Sequence, residues 1–128
     1  MKGKGAMERE DFVFDFEKLN VYQYALSFAN EVFNFSSKFK WEYQSSLGDQ
    51  FRRAALSICN NLAEGSRKEG RAKIQFYNYA LDSSRECIPM INIALSQKQL
   101  NFTQMQSLRE KCIQITKMLY KLAASVSF

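Results

Sequence analysis

Gln50, Arg53, Ser57, Asn60 and Glu64 recur at alternating steps of three and four residues. At 100° per residue on a helix this spacing gathers them within about 80° of one another, with Asn61 beside Gln50. Amides, a hydroxyl, one cation and one carboxylate on one face can form a hydrogen-bonding strip. Arg52, Arg53, Asn61 and Glu64 are also the only grouping that offers a catalytic cleft. Acid–base chemistry has little to work with there, because the sequence holds no histidine and Glu64 has no partner carboxylate in the strip. The lack of histidine also removes Ser-His-Asp and Cys-His sets, the Glu-x-x-His pairs of di-iron bundles and the commonest zinc ligand. Neither common spacing of a glycine-rich phosphate loop occurs. The chain is therefore expected to be no enzyme and to carry no metal or cofactor.

Three cysteines, Cys59, Cys87 and Cys112, are an odd number with no C-x-x-C pair, so neither a disulfide framework nor a zinc site is indicated. Their neighbours Ile58, Ile88 and Ile113 mark them as small buried hydrophobes. The second chemical feature is charge. The net charge is +5, but Arg52, Arg53, Arg67, Lys68, Arg71 and Lys73 stand against only Glu64 and Glu69, a local excess of +4. Lys98 to Lys121 carries the same excess, so the remainder of the chain is net acidic. A turn that presents Arg67, Lys68, Arg71 and Lys73 suits contact with a polyanion. Solvated helix faces are the plainer reading of any one of these cations.

The elements that must position these residues read as helices. Five glycines and one proline in 128 residues are too few for a turn-rich β chain. Residues 1–14 show no helical period and read as an N-terminal tail, leaving 15–128 as one domain. From about Phe16, Val21, Ala25, Phe28, Val32, Phe35 and Phe39 step by four and three, and Tyr22, Leu26, Ala29 and Phe33 widen the stripe. Such a helix is expected to be buried over much of its circumference. Lys40 to Ser46 reads as a connection. Leu47, Phe51, Ala54, Ile58 and Leu62 form the second stripe, with Gly65 where a C-terminal cap belongs. Leu56, Cys59 and Ala63 add a weaker apolar line, so this helix can be covered from two directions.

Ile74, Tyr77, Leu81, Ile88, Ile91 and Leu95 predict a third helix, which Pro89 either kinks or splits. Asn101 or Thr103 can cap a fourth, whose stripe is Met105, Leu108, Cys112, Ile115, Leu119, Leu122 and Val126. Short turns between long helices make an antiparallel up-down-up-down four-helix bundle the simplest all-α packing. No stretch reaches the ~18 apolar residues of a membrane span. The charged start, MKGKGAMERE, lacks a secretory signal's apolar core, so a cytoplasmic setting is expected.

The run Gln50-Phe51-Arg52-Arg53-Ala54-Ala55-Leu56-Ser57-Ile58-Cys59-Asn60-Asn61-Leu62-Ala63-Glu64-Gly65 resembles the signature Q-I-R-R-A-A-V-S-I-P-S-N-I-A-E-G of the 23S rRNA intervening-sequence proteins. These are also called the S23 or four-helix-bundle protein family. Phe16, Leu19, Val21 and Ala25 match the family's F-x-x-L-x-V-W-x-x-A start, and Phe76, Ala80, Ser83 and Glu86 its F-x-x-x-A-x-G-S-x-x-E stretch. Cys59, Asn60, Lys40 and Asp82 depart from the usual Pro, Ser, Pro and Gly, and Pro89 has no expected counterpart.

The resemblance implies a four-helix bundle of bacterial origin, encoded in some bacteria within inserts of 23S rRNA genes, and it brings no enzyme activity. The fold is also similar to that of the accessory variability determinant of diversity-generating retroelements, a basic pentameric barrel. On that analogy the expectation is a homo-oligomer, a pentamer favoured, with contacts through Gln50, Arg52, Arg53, Ser57, Asn60, Asn61 and Glu64. RNA is expected at Arg67, Lys68, Arg71 and Lys73. The competing reading is a protein-interaction or scaffold module that uses the same residues and binds no nucleic acid.

Overall fold

A computed structural model describes residues 12–127, so most of the tail expected over 1–14 lies outside the described residues, as does Phe128. Phe12 to Phe14 are extended, and the rings of Phe14, Phe16 and Tyr22 form a chain of aromatic contacts at 5.7 and 5.0 Å. A single 3-10 turn, Asp15–Lys18, is fastened by the Glu17 carboxylate, which accepts from the Phe14 N–H at 2.9 Å. Helix α1 then runs Asn20–Ser36, later than the period suggested, because Leu19 is still extended.

Helices α2 (Asp49–Ser66), α3 (Gly70–Ser96) and α4 (Phe102–Ala124) complete the bundle, and the described residues include no strand. Each helix packs on its two neighbours round a square. The pairings alternate in direction: Phe28 meets Phe51 edge-on at 6.4 Å, Ser83 meets Ser57, and Ser84 meets Thr116. The up-down-up-down reading therefore holds. Phe28, Phe51, Ile58, Leu62, Ile91, Leu108, Ile115 and Leu119 are fully buried, each on the stripe its helix predicted.

Four expectations need correction. Lys40 to Ser46 is not a plain connection: Trp41–Tyr43 is a helical turn that passes into a π turn, Gln44–Gly48, leading directly into α2. Gln44 causes this, since its amide donates to the Ser36 and Phe39 carbonyls (2.8 and 3.0 Å) that α1 leaves open. Gly65 is no cap either. It lies buried inside α2, and Arg67 closes the helix. α3 runs unbroken through Pro89, which excludes the split and leaves the ring on the solvent side. Finally, the buried face of α1 is narrower than expected: Ala29 widens it, but Leu26 and Phe33 are 39% and 40% exposed.

Polar ties fix the register of the square. Ser107 donates to the Glu31 carboxylate at 3.0 Å and Lys111 pairs with it, joining α4 to α1. Asn101, rather than Thr103, caps α4 through a reciprocal pair of bonds with Gln104 at 2.7 and 2.9 Å. Ile58, at the centre of α2, is 0% exposed. Ile58→Ala should lower unfolding free energy by about 2–5 kcal/mol, read from a denaturant titration. An unchanged midpoint would mean that the α2 register is wrong.

Candidate nucleic-acid interface

The α2–α3 turn is built by the last turn of α2. Ser66 donates to the Ala63 carbonyl at 2.8 Å, and the Lys68 N–H reaches the Gly65 carbonyl at 3.0 Å. Glu69 is extended and Gly70 opens α3 at φ 58°, a conformation that favours glycine. Arg67, Lys68, Arg71 and Lys73 are thereby all brought to one end of the bundle. The Arg67 side chain is 71% exposed, with its guanidinium 3.5 Å from Glu64. Lys68 is 3.4 Å from the same carboxylate and lies over the Phe76 ring at 5.6 Å. Lys73 donates to the Ser66 carbonyl at 3.3 Å and sits 5.8 Å from the Tyr77 ring.

Because the helices alternate, α1 begins and α4 ends at this same end. Lys18, Arg67, Lys68, Arg71, Lys73, Lys117 and Lys121 stand there against Asp15, Glu17, Glu64 and Glu69. The opposite end has Lys38, Lys40, Arg52, Arg53 and Lys98 against Glu42 and Asp49. Arg52 is taken up by Ser36 and Gln44 and Arg53 by Asp49, and the loops of this end are tied together. There the Gln99 side chain accepts from the Lys40 N–H and Gln97 from the Tyr43 hydroxyl, both at 2.7 Å. Topology thus adds the α4 cations to the run around the turn.

The polar strip divides in two. On its inner edge, Ser83 donates to Ser57 at 2.8 Å, and the Asn61 amide donates to the Ser57 carbonyl and hydroxyl at 2.8 and 3.0 Å. The Ser83–Ser57 bond crosses the α2–α3 seam, and the Asn61 bonds hold Ser57 from within α2. Gln50, Arg53 and Asn60 face solvent, with Arg53 held by Asp49 at 2.8 Å. Glu64 is half-buried between Arg67 and Lys68. Arg52 points the other way, donating to the Ser36 hydroxyl (2.8 Å), the Gln44 side-chain oxygen (3.3 Å) and the Gln44 carbonyl (2.9 Å). It locks α1 to α2. The cleft of Arg52, Arg53, Asn61 and Glu64 does not converge.

The three thiols are buried, and the hydrogen bond with Cys87 lowers the Cys112 pKa while the other two are raised. Burial pushes Cys59 up to about 11, and the hydrogen bond with Cys112, then burial, raise Cys87 above the ordinary thiol range. Cys112 donates to the buried Ser84 carbonyl at 3.0 Å. Among the described residues no three His, Cys, Asp or Glu side chains gather as metal ligands would, and no helix is long and apolar enough to cross a membrane.

Two residues matter here in ways that periodicity did not reveal. A Cβ on Gly65 would meet the Tyr77 ring at 2.9 Å and Phe76 at 3.1 Å, so the glycine permits the close approach of α2 and α3. Tyr77 was legible only as a stripe residue, although it is the one member of the α3 stripe with a hydroxyl to satisfy. Burial raises its pKa.

A family model of the 23S rRNA-intervening sequence proteins matches residues 17–121, and the chain belongs to that family. Among solved structures, one is described as a protein with unknown function from the S23 ribosomal protein family of Bacteroides thetaiotaomicron VPI-5482. It matches with 23% identity and a TM-score of 0.74, over 82% of this chain and 96% of that one. At that identity the likeness establishes the fold alone. No curated protein matches.

Gly65→Ala sets two effects against each other. Helix propensity favours alanine by about 1 kcal/mol, while overpacking a filled seam costs about 1–3 kcal/mol. Because the Tyr77 ring is buried, the second should win and the variant should melt lower than the parent. A raised melting temperature would show that the ring moves aside freely.

Proposed function

We propose that this member of the 23S rRNA-intervening sequence protein family is a non-enzymatic, self-associating bundle of the cytoplasm that holds RNA by its phosphates. The observation that carries the reading is the gathering of Arg67, Lys68, Arg71 and Lys73 at the end where α4 adds Lys117 and Lys121. The ion pairs of Arg67 and Lys68 with Glu64 are surface pairs of the kind worth about 0–1 kcal/mol, so a phosphate can replace the carboxylate. The reading rests on contact with backbone charge, and binding of that kind discriminates little between sequences.

Self-association is supported by a separate surface. Leu26 and Phe33 on α1 and Leu56 on α2 lie just outside the seam that Arg52 closes, and Leu56 is 43% exposed. Gln50, Arg53 and Asn60 continue that outer face of α2 with side chains short or flexible enough for close packing. An apolar centre with a polar margin suits a contact between copies. A ring of five is the favoured assembly, and it would repeat the basic end around one axis, raising avidity without new contacts.

Light scattering should report a particle several times the 14.9 kDa chain, and Leu56→Glu should reduce it to one copy; a stable single chain in the parent protein overturns self-association. In anisotropy titrations with a structured RNA, neutralising about four phosphates should weaken binding roughly 50- to 150-fold between about 50 and 200 mM salt. Replacing Arg67, Lys68 and Arg71 by Glu should abolish the signal and leave the helical circular dichroism intact. If the parent protein shows no binding at low salt, the scaffold reading replaces the RNA reading, and the apolar face becomes the functional surface.

A further inference from the structure

Between the start of α1, the α2–α3 turn and the last turn of α4 lies a cavity of about 700 Å³. Lys68, Gly70, Lys73, Tyr77, Leu122 and Val126 carry the argument about what it takes. Tyr77 is 3% exposed, and among the described residues its hydroxyl has no hydrogen-bond partner. A buried hydroxyl left in that state is costly, which makes a missing partner in the cavity the simplest account of it. The ring is set in place by Gly65, so the hydroxyl is a fixed feature of the cavity wall.

Three further groups converge on the same space. Lys68 and Lys73 bring two ammonium groups, Lys73 half-buried above the Tyr77 ring. The 27-residue helix α3 begins here, and the side chain of its N-cap residue, Glu69, makes no cap bond, so no side chain of its own closes the N-terminal amides. Glu69 also lines the cavity and Glu64 stands 3.4 Å from the Lys68 ammonium, so two carboxylates oppose the two ammoniums. The helix N-terminus and the Lys73 ammonium over the Tyr77 ring are what an incoming anion would meet. Leu122 and Val126 supply an apolar wall on the α4 side.

A compact anion with several acceptor oxygens and more than one charge meets all of these groups. A phosphate monoester has three terminal oxygens and a charge of about −1.5 to −2 at pH 7, whereas an internal phosphodiester has two such oxygens and a single charge. The volume falls in the range of small-ligand sites, roughly 300–1,000 Å³, well beyond what a phosphate alone fills. The apolar wall therefore has room for the sugar and base.

We propose that this cavity is a phosphate-monoester site, taking either the phosphorylated end of a nucleic-acid strand or a free mononucleotide. The first source rests on the RNA reading above; the second stands without it. The test pairs a single-stranded RNA carrying a 5′-phosphate with the same RNA ending in a 5′-hydroxyl, titrated by anisotropy. A nucleoside 5′-monophosphate is titrated separately by calorimetry. The parent protein should bind the phosphorylated RNA about tenfold more tightly, a gap of ~1.4 kcal/mol. Tyr77→Phe should close that gap, leave the 5′-hydroxyl RNA unaffected and keep or raise the melting temperature, since no bond is lost in the free protein. Lys73→Met should close the gap as well.

Saturable mononucleotide binding that Tyr77→Phe weakens, with no RNA bound by either arm, supports the cavity and removes the RNA reading. Equal binding of the two RNAs together with no mononucleotide binding overturns the cavity and leaves the RNA reading standing. A gap that survives both substitutions also overturns it.

Discussion

The close approach of α2 and α3 at Gly65 sets the geometry of the end where these two helices are joined. Any side chain at this position would collide with Tyr77 or Phe76, so the two helices meet at backbone distance just before the turn that joins them. That contact holds the Tyr77 ring under the turn. It also brings the aromatic faces of Phe76 and Tyr77 beneath Lys68 and Lys73, where they support the two ammonium groups. Moved apart by the width of a methyl group, the helices would lose both the fixed ring and the seats of the two lysines. A residue that reads as a helix stop thus governs the placement of cations on both sides of the turn.

The opposite end solves the complementary problem. There the chain must pass from α1 to α2 without leaving open carbonyls, and Gln44 and Arg52 supply the donors. Arg52 shares the sequence neighbourhood of Arg53 but has the opposite fate, because one step along a helix is a rotation of about 100°. One guanidinium is spent inside the chain on Ser36 and Gln44, and the other remains in solvent beside Asp49. The two ends of the bundle are consequently different in kind: at one the arginines are taken up by cross-links within the chain, and at the other lysines line an open cavity.

The fold was legible because its stripes repeat over four or five turns and chain breakers are scarce; Val21 to Val32 and Phe51 to Leu62 bury where their spacing places them. The boundaries were less legible. Phe39 keeps the α1 period and is buried, yet lies past the end of α1, because a buried aromatic can be reached from a turn as well as from a helix. The Gln44–Gly48 π turn had no sequence signal, since it depends on an amide finding two carbonyls that only the folded chain presents. Gly65 was misread for a related reason. A glycine near a helix end suits a cap or a close packing partner equally, and only the position of Tyr77, twelve residues on, decides between them. The polar strip was visible as a face, but its division into an inner bonded edge and an outer solvent edge required the location of Ser83.

The chemistry available at the basic end is constrained by what the sequence lacks. Without histidine, no side chain has an ordinary pKa in the range where imidazole titrates. Burial moves Tyr77 and Cys59 upward, away from neutrality. Internal phosphodiesters keep one negative charge throughout that range, so an interface of lysine and arginine with a strand's backbone has no titrating partner on either side. A phosphate monoester differs, because its second ionisation falls near pH 6. As it protonates, a ligand in the Tyr77 cavity loses part of the charge that Lys68 and Lys73 face, and its attraction to them weakens as the pH falls through that value. Any pH dependence of binding near neutrality would therefore come from the ligand and would mark the strand end rather than the strand. The two proposed modes of phosphate contact are in this way separable by the ligand's own titration, even though they would draw on the same lysines.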